Sequence, residues 1–67
     1  MTEIFFAGNM AGLGYKFMVE GTPQPYELCA PIDATRFASS AALVAFVTAL
    51  ALPPDFYFNV ASFYVTT

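Results

Sequence analysis

Cys29 is the single thiol of this chain, and the sequence contains no histidine. A thiol acts as a nucleophile or metal ligand once ionised, which takes a neighbouring base, a cation or a metal. No imidazole exists to serve as that base, and a lone sulfur makes neither an internal disulfide nor a zinc site. Cys29 therefore reads as an inert, buried or half-buried thiol. Gly8 to Gly14 holds three glycines, but it lacks the Gly-Lys-Ser/Thr ending of a phosphate loop and leads into a strand pattern. The carboxylates are scattered, and no spacing poises a pair for acid–base work. The sequence thus predicts no enzyme activity, no metal and no cofactor.

Composition narrows the partners. Two basic residues, Lys16 and Arg36, against five acidic ones give a net charge of −3. No basic stripe exists to neutralise phosphates, so direct nucleic-acid binding is not expected. A chain of 67 residues is one small domain, and a domain this size buries only about 60% of the surface its unfolded chain exposes. Small domains offset that with disulfides, metals or association. With 58% hydrophobic residues, eight Phe and four Tyr, this one points to an apolar core or to burial against another chain. The start, Met-Thr-Glu-Ile-Phe-Phe, lacks the basic opening and long apolar run of an export signal. Together with the unpaired thiol, that predicts a cytoplasmic protein.

Positioning elements follow from periodicity. Thr2 to Ala7 reads as a first strand, and the glycines after it supply a turn needing positive φ. Tyr15 to Glu20 alternates, with Tyr15, Phe17 and Val19 on one face and Lys16, Met18 and Glu20 on the other, the mark of a half-buried strand. The two strands form a hairpin. Gly21 to Pro25 closes that unit, and Tyr26 to Ile32 reads as a loop. Asp33 is expected to cap a helix from Ala34 to Leu50, with Ile32 and Phe37 as its hydrophobic staple and Pro53-Pro54 as its stop. The uncharged run 37–52 would extend roughly 24 Å as a helix, against roughly 30 Å of bilayer core, so it fits a buried helix better than a membrane span. Asp55 to Thr67 is β-prone but shifts phase, predicting either a bulge near Ala61-Ser62 or a strand covered on both faces. The expected fold is α+β: a small three-stranded, mainly antiparallel sheet, ordered strand-strand-helix-strand, with one apolar helix on one face.

On that helix, Phe37, Leu43, Val44, Phe46, Val47 and Leu50 gather on the arc that should cover the sheet. Ala34, Ala38, Ala41, Ala42, Ala45 and Ala49 gather opposite. Such a face is either solvent-exposed helix formers or a smooth surface for close approach; self-association through Ala38, Ala41, Ala42, Ala45 and Ala49 is the sharper expectation. Glu3, Lys16, Met18, Glu20, Asp55 and Tyr57 are the expected contacts with a protein partner. Tyr15, Tyr26, Tyr57 and Tyr64 are candidate anchors, against the plainer reading of sheet residues with wet hydroxyls.

The run Gly14 to Gly21, a helix, then Phe56 to Val60 resembles the layout of some small phage-encoded anti-CRISPR proteins. The resemblance covers element order along most of the chain and no diagnostic motif. It implies a compact, non-enzymatic inhibitor in the host cytoplasm that occludes a protein surface, such as the DNA-binding surface of a CRISPR effector. The helix carries no acidic residue beyond Asp33, which argues against mimicry of DNA. Two other readings remain open: a membrane-associated protein anchored by residues 37–52, and a phage or shell assembly subunit whose apolar surface its neighbours bury.

Overall fold

The computed structural model describes residues 1–17 and 26–66. They form an α+β fold with one antiparallel sheet and one helix. The strands are β1 (Thr2–Gly8), β2 (Gly14–Phe17), β3 (Tyr26–Cys29) and β4 (Asn59–Val65), and the helix is α1 (Ser40–Ala49). The sheet order is β3-β2-β1-β4, so the sheet has four strands where the sequence predicts three. The extra strand is Tyr26–Cys29, paired with β2 from Gly14↔Cys29 to Phe17↔Tyr26. Flanked by Pro25 and Pro31, it is too short to show a period of its own, and only its partner makes it a strand.

β1 and β2 meet through the loop Asn9–Leu13. Asn9 organises it: its side-chain Oδ1 accepts from the amides of Ala11 and Leu13, at 3.0 and 2.9 Å. Gly12, at φ +84°, supplies the left-handed residue that a side chain would resist. The two strands pair directly only at Gly8↔Gly14, then part. Residues 34–37 fill the gap. Thr35 donates its amide to the Tyr15 carbonyl (3.2 Å), and its Oγ1 accepts from the Phe17 amide (2.9 Å). Phe37 exchanges two backbone hydrogen bonds with Phe5, at 2.9 and 2.8 Å.

That wedge corrects the expected start of the helix. Asp33 does not cap it, but ends a 3-10 turn, Pro31–Asp33, and residues 34–37 are extended rather than helical. The N-cap is Ser39, whose Oγ accepts from the Ala42 amide at 3.1 Å. Ile32 is exposed and Phe37 precedes the helix, so no staple forms between them. At the other end Ala51 takes φ +51°, a left-handed close, before Pro53-Pro54. At ten residues α1 spans about 15 Å, and no helix among the described residues is long and apolar enough to cross a membrane.

β4 pairs with β1 one-to-one from Thr2↔Val65 to Gly8↔Asn59. No bulge interrupts it. Its apparent phase shift arises because Phe56 and Phe58 lie before the strand and reach the core from a loop. The core cluster is Ala7, Tyr15, Phe17, Leu43 and Val47, ringed by Phe37, Phe46, Phe56 and Tyr26. Leu43 and Val47 are the buried residues of α1, with Phe46 and Leu50 half-buried beside them, whereas Val44 is exposed, contrary to its expected place on the buried arc.

Candidate interaction surface

Alternation along each strand sorts the sheet into two faces. Glu3, Phe5 and Ala7 of β1 share a face with Tyr15 and Phe17 of β2, and with Val60, Ser62 and Tyr64 of β4. α1 lies on this face but covers only its middle. Ala7 and Leu43 are fully buried there, while Val60 and Tyr64, on the same face of β4, are 44% and 62% exposed. Ser62 lies between them, and its hydroxyl donates to the Glu3 carboxylate at 2.8 Å. Glu3 also stands directly opposite Tyr64 in the register. The result is a patch of one carboxylate, one hydroxyl, one aliphatic residue and one phenol beyond the helix's cover.

The expected contact residues do not converge on one surface. Glu3 belongs to this patch. Lys16 is exposed on the opposite face, paired with Glu27. Asp55 is exposed in the turn after Pro53-Pro54, and Tyr57 is 54% exposed, with its hydroxyl donating to Asn59 Oδ1 at 2.7 Å. Met18 and Glu20 lie outside the described residues. Of the tyrosines, Tyr15 is buried and donates its hydroxyl to the Tyr57 carbonyl (3.0 Å), and Tyr26 is half-buried edge-on to its ring. The Tyr15 ring is thus spent on the core, and part of the Tyr26 ring with it. Burial, and then the neighbouring Tyr26, raise the Tyr15 pKa above the ordinary phenol value.

Sequence reasoning placed Tyr64 among its candidates and missed Val60 and Ser62. Their signal is the alternation of Val60, Ser62 and Tyr64, which is readable only once the strand is known to begin at Asn59 rather than Phe56. The alanine row is exposed at Ala41, Ala42, Ala45 and Ala49 of α1, and Ala38 is exposed just before the helix.

Cys29 is half-buried, with its sulfur 3.7 Å from the Gly14 carbonyl oxygen. Burial raises its pKa, the Asp33 and Glu27 carboxylates act in the same direction, and Lys16 opposes them. The thiol form is therefore held at neutral pH. The described residues enclose no cavity and gather no group of three His, Cys, Asp or Glu side chains. No family model, no curated protein and no solved structure matches this chain.

Proposed function

We propose that this chain is a non-enzymatic binding protein, an inhibitor or adaptor that works by covering the surface of another protein. The observation carrying this reading is the exposed Val60–Ser62–Tyr64 row with Glu3 beside it. Tyrosine is the side chain most suited to such work, since it buries a large ring at small entropic cost and keeps a polar tip. Glu3 gives the patch one negative charge, which suits a partner with a basic site.

The resemblance of the sequence to small anti-CRISPR proteins suggests the first partner to test, the DNA-reading surface of a CRISPR effector. Titrating the chain into a purified effector and measuring its binding of target DNA gives the readout. Inhibition is expected, and Tyr64→Ala should weaken it by about 2 kcal/mol, as loss of an interface hot spot does. Inhibition untouched by Tyr64→Ala and Glu3→Gln would move the contact away from β4. No inhibition of any effector, with no protein captured from a host lysate, would remove the reading.

A further inference from the structure

β4 is an edge strand, and its outer side pairs with no strand among the described residues. The direction of its free backbone groups follows from the wedge. Phe5 spends both its amide and its carbonyl on Phe37, away from β4. Phe5 stands opposite Ser62, so theirs is a non-hydrogen-bonded pair, and the amide and carbonyl of Ser62 also point away from β1. By alternation the same holds for Val60 and Tyr64. Three donors and three acceptors therefore line the open edge.

Natural edge strands are blunted by charge, proline, a bulge or brevity. β4 has none of these: its seven residues, Asn59–Val65, hold no charge and no proline, and its pairing with β1 is unbroken. Ser62 is its central residue. An antiparallel copy laid along this edge with a two-fold axis at Ser62 pairs Val60 with Tyr64, Ser62 with Ser62, and Tyr64 with Val60. All of these are residues whose backbone groups point outward, so every free group meets a partner. Across the axis an aromatic side chain faces a β-branched one, a favourable cross-strand pair, and no like charges oppose each other. A strand of another protein would meet these backbone groups equally well, but the fit to its own sequence is already complete.

We infer that the outer edge of β4 pairs with β4 of a second copy, joining two four-stranded sheets into one continuous sheet. The pairing is independent of the partner-binding reading, and its readout is mass rather than inhibition. It would set two Val60–Ser62–Tyr64 rows side by side.

Sedimentation of four samples tests this: the unmodified chain, Val60→Lys with Tyr64→Lys, Val60→Glu with Tyr64→Glu, and an equimolar mixture of the two variants. The unmodified chain should sediment as a dimer at about 100 µM, a concentration at which weak association is visible by mass action. Each doubly charged variant opposes like charges twice, and should dissociate with Kd raised about tenfold or more. The mixture opposes Lys to Glu at both pairs and should recover the dimer, which also shows that both variants are folded. Ser62→Lys, with like charges directly across the axis, should dissociate the dimer through one change. A monomeric unmodified chain would overturn the inference. So would variants that dimerise as well as the unmodified chain, or folded variants that the mixture does not rescue. A dimer abolished by Ala45→Arg yet indifferent to charge on β4 would also overturn it, and would place the contact on the alanine row of α1.

Discussion

The two faces of the sheet are closed by opposite means. On one, α1 lays Leu43 and Val47 over Ala7, Tyr15 and Phe17, and half-buried aromatic rings from Phe37, Phe46, Phe56 and Phe58 fill the margins. On the other, the sheet is closed over β2 by a short 3-10 turn and by Ala34, brought against Gly14 so tightly that a Cβ on Gly14 would sit 2.6 Å from the Ala34 methyl. Beyond that contact Phe6 packs on Phe63, and the Arg36 guanidinium lies 5.4 Å from the centre of the Phe63 ring. The helix face depends on volume being present. The turn face depends on volume being absent. A small domain without a disulfide thus gains one layer from bulk and the other from close approach of backbone.

The contrast makes the two faces fail in opposite directions. Leu43→Ala should have the largest effect, about 3 kcal/mol, because a fully buried side chain leaves a cavity that a rigid sheet does not collapse to fill. Gly14→Ala should follow at roughly 2 kcal/mol, through overpacking against Ala34 and the Phe6 ring. Pairing each with the other face's remedy sharpens the comparison: Ala34→Gly should recover part of the Gly14→Ala loss and none of the Leu43→Ala loss. Denaturant unfolding measures all three. If Gly14→Ala proved neutral, the turn face would be looser than its geometry indicates.

Tyr15→Phe should cost about 1 kcal/mol, since it leaves the Tyr57 carbonyl without its donor. The same residue gives the helix face a pH dependence. Its pKa is raised in the fold, so its contribution is complete below the ordinary phenol pKa and is lost as pH rises through the folded value. Alkaline unfolding should accordingly be less steep in Tyr15→Phe than in the unmodified chain, as followed by circular dichroism. Arg36→Ala on the turn face should have the smallest effect, about 0.5 kcal/mol, because an exposed cation over a ring is worth little.

Much of the helix face was legible in the residues. The alternation Tyr15, Lys16, Phe17 announces which side of β2 is buried, and the uncharged run with Leu43, Phe46 and Val47 announces a helix that covers it. The turn face was not. Its contacts come from residues 31–36, which local preference assigns to a helix start, because Asp33 is a good cap and Phe37 falls at staple spacing. What overrides that preference is non-local: β1 and β2 leave backbone groups open where they part, and Thr35 and Phe37 satisfy them. β3 was hidden for a similar reason, being a strand only beside β2. The patch on β4 was hidden by phase, since Phe56 and Phe58 look like strand residues while serving the core from outside the sheet. Glu3 is a candidate by its type alone, and its neighbours Val60 and Ser62 emerge only from the register.

The wedge between β1 and β2 also sets the order in which this chain can fold. One side of β1 is served by residue 37 and the other by residues 59–65, so the hairpin that begins the sequence has no complete set of backbone partners when it leaves the ribosome. Phe5 finds its backbone partner at Phe37, but Ile4 and Phe6 wait for β4. Completing β1 therefore depends on contacts far apart in sequence, the kind whose closure slows folding relative to local pairing.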